Sequence, residues 1–234
     1  MIFDNLEKIE NKSFFAIIVG SGPAGISLAL KLEKKGYESL ILEAGSYDFN
    51  VENEKYTDGK TIGDQYNDLK IARSREFGGT SSRWGGNCSI LKDEDFFEWP
   101  IKRKDLDIYE NEAREILNVR NDLYHSKFSE SLDYYNVEWS NVKFKKKYFN
   151  YIKNSKKIFL SLNTIFCDLH GKKGNVEKVR CFKNRFFFIK SKNIILSCGG
   201  IENSRLLLLS QKNNKSLFKF DLPIGKYFMD HPKH

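Results

Sequence analysis

A glycine-rich turn between an apolar run and a helical pattern constrains the fold of this chain more than any other feature. Residues 14–19 (FFAIIV) form a short continuous apolar run, which is typical of a buried strand. The turn GSGPAG at 20–25 follows, and residues 24–35 carry apolar side chains at helical spacing. A second apolar run, SLILEAG, occupies residues 39–45. This order predicts a βαβ unit, in which two parallel strands are joined by a right-handed crossover.

The three glycines of this turn have the spacing GxGxxG, and each meets a steric requirement of a dinucleotide-binding turn. Gly20 permits the tight turn, Gly22 lets the backbone approach a diphosphate, and Gly25 lets helix and strand pack closely. Free N–H groups at the helix start then face the phosphates. Glu43 ends the second strand, where its carboxylate can accept both hydroxyls of an adenosine ribose and disfavours a 2′-phosphate. The pattern predicts a dinucleotide site, and the dinucleotide could be NAD or FAD. The alternative interpretation is a Rossmann-like turn that binds no ligand.

The rest of the chain returns to an α/β pattern after a long middle segment. Residues 99–117 predict a turn and then a helix with Asp105 as its N-cap, and we expect residues 118–155 to be mostly irregular. The later predicted elements are strands at 158–162, 164–169, 176–182, 185–190 and 193–198 and a helix at 199–211. We therefore predict an α/β fold, a doubly wound parallel sheet plus an antiparallel meander, with insertions.

Composition and charge bear on the other classes of function. No stretch approaches about 18 consecutive apolar residues, and the N-terminus lacks a signal-peptide pattern, so we expect a cytoplasmic protein without a membrane span. The four cysteines have no metal-ligand spacing, so we expect free thiols and no metal site. Residues 143–157 hold seven lysines, four aromatic residues and no acid. Such a run can bind nucleic acid, but its lack of arginine favours a solvated face whose aromatic side chains point inward, and we expect no nucleic-acid partner.

Four further motifs carry a resemblance to a known family. They are LEAG at 42–45, GGTSSRWGG at 78–86, SCGGIENSRLLLLS at 197–210 and IGKYFMDHP at 224–232. Together with the glycine turn, and in this order, they resemble the GMC (glucose–methanol–choline) family of FAD-dependent oxidoreductases. The resemblance implies a glutathione-reductase-like FAD-binding Rossmann domain. It also implies one discontinuous domain, with 12–98 as the dinucleotide unit and flavin loop, 99–157 as an insertion and 158–234 as the return to the FAD domain.

The resemblance implies a role for each motif. Gly20, Gly22 and Gly25 would hold the FAD diphosphate, and Glu43 would hold the adenosine ribose. The other implied cofactor-binding residues are Gly78, Gly79, Thr80, Ser81, Gly85, Gly86, Phe166 and Gly199. Asp230 and His231 match a flavin-proximal turn of the family.

Two departures from the family pattern concern the loop at 75–86. Arg83 stands where some sugar-oxidising relatives have a His that is bonded covalently to the flavin, so the resemblance implies non-covalent FAD. The presence of Trp84 in this loop resembles the pattern of sugar- or polyol-oxidising bacterial members of the family. One of Arg73, Arg75 and Arg83 could add positive charge near a phosphate or the reduced ring, although a structural ion pair is the commoner role.

The resemblance also leaves the catalytic residues unassigned. Family members are usually much longer, and their C-terminal half supplies the substrate domain and a catalytic His that none of the four histidines here matches. The implied function is the FAD-binding part of an oxidoreductase that oxidises the CH–OH group of an alcohol or sugar by hydride transfer to FAD. The alternatives are a fragment or one subunit of a split enzyme, completed by a C-terminal half, or flavin binding without turnover. An NAD(P)-linked flavin reductase would need a second GxGxxG, which the sequence lacks.

Overall fold

The structure is a computed structural model of the chain, and it describes residues 1–63, 66, 68–119, 125–130, 133–135, 137–172, 174–218 and 221–230. Close contacts divide the chain into two compact units. The first unit comprises Met1–Ser82 together with Phe144–His234, and the second comprises Arg83–Lys143. Each unit is described by itself.

Ten strands and six α-helices lie within the described residues. The strands are β1 (Phe14–Val19), β2 (Ser39–Leu42), β3 (Asn87–Cys88), β4 (His125–Lys127), β5 (Asp133–Tyr135), β6 (Glu138–Trp139), β7 (Ile158–Ser161), β8 (Ile165–Lys172), β9 (Asn175–Phe182) and β10 (Phe186–Leu196). The α-helices are α1 (Pro23–Lys34), α2 (Val51–Glu54), α3 (Leu69–Ala72), α4 (Asp107–Leu117), α5 (Phe144–Asn154) and α6 (Gly200–Asn213). The 3₁₀ turns are Leu6–Lys8, Lys55–Thr57, Gly79–Ser82, Asp93–Phe96, Arg103–Asp105 and Lys215–Leu217. None of the helices in this described part of the chain is long and apolar enough to cross a membrane.

A six-stranded sheet forms the framework of the first unit, in the order β7-β2-β1-β10-β9-β8. The pairs β7–β2, β2–β1 and β1–β10 are parallel, and β10–β9 and β9–β8 are antiparallel. Every residue of β2 and β7 is buried, as the continuous apolar runs in the sequence indicate. The predicted α/β fold with a parallel sheet and an antiparallel meander is confirmed.

Strand β10 joins the parallel and antiparallel parts of this sheet. The sequence predicted two strands here, 185–190 and 193–198, but the structure has a single strand of 11 residues. Its first half pairs antiparallel with β9, and its second half pairs parallel with β1. The polar residues between the two predicted strands do not interrupt it, because the Ser191 hydroxyl donates to the Phe14 carbonyl at 3.1 Å.

The carboxyl ends of β1, β2 and β10 meet at one edge of the sheet. Gly20 N donates to Leu42 O and Ser197 N donates to Val19 O, both at 2.8 Å, so the residues that follow the three strands lie side by side. In parallel α/β sheets this edge is where ligands bind. The fold therefore places Gly20, Glu43 and Ser197 together, although the last is more than 150 residues away along the chain.

Helix α5 corrects the prediction of an irregular segment over 118–155. The lysine-rich run forms an amphipathic helix in which Phe144, Tyr148 and Ile152 are buried at intervals of four residues. Four residues exceed one helical turn only slightly, so these side chains share one face and the lysines occupy the others. The sequence predicted that the aromatic residues of this run point inward, which holds for Phe144 and Tyr148, but it did not predict the helix.

The second unit contains α4 and the short pairs β3–β6 and β4–β5. Asp105 does not cap α4 as predicted, because it ends a 3₁₀ turn and its carboxylate accepts from Lys102 N at 2.8 Å. Helix α4 begins two residues later, at Asp107. Arg114 on α4 is buried and forms ion pairs with Glu110 and Glu138, which links the helix to β6.

The buried stripe of α5 predicts a specific loss of stability. Because Ile152 is fully buried, we expect Ile152→Ala to lower the free energy of unfolding by about 3 kcal/mol through lost packing. The exposed control Lys146→Ala on the same helix is expected to change it by less than about 0.5 kcal/mol. Urea unfolding followed by circular dichroism measures both, and equal effects would contradict the assignment of the buried face.

Candidate functional site

A cavity of about 550 Å³ opens at the carboxyl edge of the sheet in the first unit. This volume is typical of a site for a cofactor or small molecule. The glycine turn after β1, the end of β2, the pair Gly79–Thr80, Phe166 and the segment Cys198–Gly200 all line it. The cavity therefore brings together residues that the sequence predicted as cofactor-binding from five separate parts of the chain.

The three glycines of the turn differ in what the protein itself requires of them. Gly20 has a φ of +98°, and a Cβ there would lie 2.9 Å from the Ser197 carbonyl oxygen. A Cβ on Gly25 would lie 2.1 Å from the Gly20 carbonyl oxygen. Gly22, however, has an ordinary φ of −72°, and the nearest atom to its Cβ position is 4.0 Å away. The fold explains the first two glycines, whereas the space at Gly22 is available to a ligand.

The open space at Gly22 lies at the N-terminus of α1. Gly22 is the N-cap of this helix, and no side chain caps its free backbone N–H groups. Pro23 occupies the first helical position, where the missing N–H costs nothing. Uncapped N–H groups and the helix dipole together favour an anion at this point.

Glu43 is buried and fixes the glycine turn to the end of β2. Its Oε2 accepts from Ser21 N at 2.9 Å and from Ser21 Oγ at 2.6 Å, and its Oε1 accepts from Gly45 N at 2.8 Å. Burial raises the pKa of Glu43, while these hydrogen bonds act in the opposite direction. The side chain also lines the cavity, and Oε1, which accepts one hydrogen bond, has capacity for a further donor. Its predicted contact with a ribose stays a prediction, and its contact with Ser21 is a role that the sequence did not indicate.

The first half of the loop at 75–86 packs directly against the glycine turn. Gly78 N donates to Ser21 O at 3.0 Å, and a Cβ on Gly79 would lie 3.1 Å from Gly22 Cα. Ser81 is buried; its hydroxyl donates to Gly78 O at 2.7 Å and accepts from Phe144 N at 3.2 Å. Gly79 and Thr80 face the cavity, and Gly78 and Ser81 hold the loop in place.

Gly85 and Gly86 lie in the second unit. Gly86 has a φ of +87°, and a Cβ there would lie 2.1 Å from the Ser140 carbonyl oxygen. Ser140 N donates to Gly86 O at 2.7 Å, so packing within the second unit requires this glycine. A Cβ on Gly85 would have no atom within 4 Å among the described residues, apart from Gly85 itself and its chain neighbours. Their predicted contact with the cofactor stays a prediction.

The remaining predicted residues lie along the cavity. Phe166 on β8 is buried, and Gly199 caps α6 with a φ of +82° and open space at its Cβ position. Asp230 also lines the cavity and accepts from the Tyr66 hydroxyl at 2.7 Å. His231, the other residue of the predicted flavin-proximal turn, lies outside the described residues.

Cys198 is a cavity residue that sequence reasoning did not identify. Its Sγ donates to Val19 O at 3.2 Å, and burial raises the pKa of its thiol to about 12. A thiol held protonated near neutral pH is a packing group rather than a nucleophile. No group of His, Cys, Asp and Glu side chains that could hold a metal ion occurs among the residues that the structure describes.

The contrast between Gly25 and Gly22 predicts opposite responses to the same substitution. Gly25→Ala is expected to lower the free energy of unfolding by about 2 kcal/mol or more, because the new Cβ overlaps the Gly20 carbonyl. Gly22→Ala is expected to change it by less than about 1 kcal/mol, because the methyl group enters open space. Chemical denaturation without added cofactor compares the two, and a larger loss for Gly22→Ala would refute the distinction.

Comparisons with known proteins agree with the fold of the first unit. Residues 18–48 match the family model of an NAD(P)-binding Rossmann-like domain, which spans the glycine turn, α1 and β2. A comparison with curated proteins gives no match. Among solved structures, the chain is similar to the crystal structure of pyridoxine 4-oxidase from Mesorbium loti, with a TM-score of 0.55 and 14% sequence identity. The alignment covers 82% of this chain and 50% of that chain. The chain thus spans half the length of this structure, and it contains a Rossmann-like dinucleotide-binding fold.

Proposed function

We propose that this chain binds FAD non-covalently and forms the FAD-binding part of an oxidoreductase that oxidises the CH–OH group of an alcohol or sugar by hydride transfer. The observation that carries the proposal is the open space at Gly22, which lies at an uncapped helix N-terminus and opposite Gly79. Neither backbone conformation nor packing requires a glycine at position 22. A diphosphate that approaches the backbone closely does require one.

The residues along the cavity fit the parts of FAD. Gly22, Gly79 and Thr80 would contact the diphosphate with backbone groups, and Glu43 would accept the ribose hydroxyls. Phe166 would meet the adenine edge. When bound, FAD supplies the hydride acceptor, and the loops of this chain hold it in place and keep water from it.

The choice of FAD over NAD rests on the motif resemblance. The family model describes an NAD(P)-binding Rossmann-like domain, and such a fold accommodates either dinucleotide. The ordered motifs of the GMC family favour FAD, and the solved structure with a similar fold is that of pyridoxine 4-oxidase. A single GxGxxG favours one dinucleotide per chain.

The group that accepts the hydroxyl proton of the substrate is not assigned within this chain. General-base catalysis needs a side chain within hydrogen-bond reach of that proton. Because the alignment covers only 50% of the aligned structure, we propose that the base comes from a complementing C-terminal half or a second subunit. The alternative is a catalytically incomplete unit that binds flavin without turnover. Addition of substrate alcohols to the flavin-loaded chain together with the complementing half separates the two, since only a completed site bleaches the flavin absorbance.

Flavin binding tests the proposal directly. We expect the purified chain to take up FAD with a shifted flavin absorption spectrum, and Gly22→Asp to lower the affinity at least about 100-fold, since it places a carboxylate against the diphosphate. Ser216→Asp adds the same charge at an exposed position outside the cavity and is expected to leave the affinity unchanged. Equilibrium dialysis measures all three proteins. Equal affinities of all three, or uptake of NADH in preference to FAD, would refute the proposal.

The non-covalent attachment has its own test. Arg83 has no nucleophilic ring nitrogen to form a bond to the flavin, so we expect acid precipitation of the loaded protein to release all flavin into the supernatant. Fluorescence of the supernatant and of the washed pellet measures the two fractions. Yellow protein that persists in the denatured pellet would contradict this prediction.

A further inference from the structure

The side chain of Arg75 lines the cavity, and two of its three guanidinium nitrogens have no hydrogen-bond acceptor in the part of the chain that the structure describes. Its Nε and Nη2 are buried, and neither has a hydrogen-bond partner among the residues that the structure describes. Its backbone is fixed, since Arg75 N donates to Glu54 Oε1 at 3.1 Å and the side chain lies 4.7 Å from the ring centre of Tyr56. The side chain is thus held in position, and two of its donors meet no acceptor among the residues described.

The two carboxylates whose charges act most strongly on Arg75 accept hydrogen bonds from other donors. Glu43 accepts from Ser21 and from the Gly45 backbone. Glu202 forms an ion pair with Arg73 at 2.9 Å and accepts two bonds from Arg205 Nε, both at 3.0 Å. Both carboxylates lower the electrostatic cost of burying Arg75 without supplying it with a hydrogen bond.

The other two arginines that the sequence singled out differ from Arg75. Arg73 has protein partners, because it pairs with Glu202 and donates to the carbonyls of Thr57 and Leu69. Arg83 belongs to the second unit. Of these three arginines, Arg75 alone combines a position on the cavity with buried donors that the described residues leave unpaired.

A buried cation without acceptors is costly unless a ligand completes its hydrogen bonds. Burial lowers the pKa of Arg75, which shows the direction of this cost. The planar fork of a guanidinium matches two oxygens of a phosphate group. We propose that Arg75 binds the diphosphate of the dinucleotide and thereby selects phosphate-containing ligands for this cavity. The proposal rests on the proposed function only in taking the ligand to be a dinucleotide.

Ligand fragments separate the phosphate contribution from the rest of the cofactor. The experiment measures dissociation constants of adenosine, ADP and 2′-AMP by isothermal titration calorimetry for the full chain, Arg75→Met, Arg75→Lys and the control Arg185→Met. Arg185 is an exposed arginine outside the cavity that pairs with Glu7 and Glu10, so its substitution makes the same change in net charge.

The expected result is specific to ADP. Arg75→Met should raise the dissociation constant of ADP about 10- to 100-fold, which corresponds to the loss of a charge-assisted hydrogen-bonded pair. It should change the dissociation constant of adenosine by less than about twofold. Arg75→Lys should recover part of the ADP affinity, because it keeps the charge and loses the fork. Arg185→Met should leave the dissociation constants of adenosine and ADP unchanged. Equal loss of adenosine and ADP in Arg75→Met, or a loss confined to 2′-AMP, would overturn the proposal.

Stability of the ligand-free protein distinguishes ligand binding from a structural role. Because Met fills a similar volume without an unpaired charge, Arg75→Met is expected to unfold at the same or a higher temperature than the unsubstituted chain when no ligand is present. Added ADP should raise the unfolding temperature of the unsubstituted chain and not that of the variant. A lower unfolding temperature of the ligand-free variant, together with an unchanged response to ADP, would show a structural role.

The outcomes also separate this proposal from the proposed function. If the chain takes up no FAD but binds ADP in a way that depends on Arg75, the phosphate-binding role of Arg75 is supported and the proposal that the chain binds FAD is refuted. FAD uptake that Arg75→Met leaves unchanged would support the flavin and refute the phosphate role. A chain that binds neither ADP nor FAD would refute both.

Discussion

The hydrogen bonds between the buried carboxylate of Glu43 and Ser21 hold the candidate site together. They tie the glycine turn after β1 to the end of β2, and Ser21 in turn accepts from Gly78 of the following loop. A buried carboxylate is costly to desolvate, and here three donors offset that cost. Two turns that are distant in sequence are thereby fixed in contact, with Gly22 and Gly79 facing each other and space left for a ligand.

Charge in the cavity is arranged on the same principle, with one exception. Arg73 and Arg205 both pair with Glu202, so these three charges have partners within the protein. Arg75 has no such arrangement among the described residues. Native proteins seldom leave a buried donor unpaired, and this exception is the observation behind the proposal that Arg75 binds a ligand phosphate. The uncapped N-terminus of α1 lines the same cavity and also favours an anion.

The elements that could be predicted from the sequence are those in which the residue types permit few other conformations. Continuous apolar runs predicted β1 and β2, and a glycine pattern between strand and helix predicted the turn, because few other residues permit such a conformation. Prediction failed where the signal was mixed. The lysine-rich run did not predict the helix α5, the polar residues in β10 suggested a break, and Asp105 has the chemistry of an N-cap but serves a neighbouring turn.

The sequence by itself determined the βαβ unit, the dinucleotide character of the turn and the α/β class of the fold, since these follow from local sterics and hydrophobic pattern. Only the tertiary structure decided which residues form the cavity. The pairing of β1 with β10 brings Ser197 and Cys198 to the glycine turn, and hydrogen bonds to Ser21 and from Phe144 N position the loop of Gly78. It also decided that the Cβ position of Gly22 is open while that of Gly25 is filled. Likewise, the described residues leave Arg75 Nε and Nη2 without an acceptor, whereas Arg73 pairs with Glu202. Such distinctions depend on neighbours that are remote in sequence, and no local pattern encodes them.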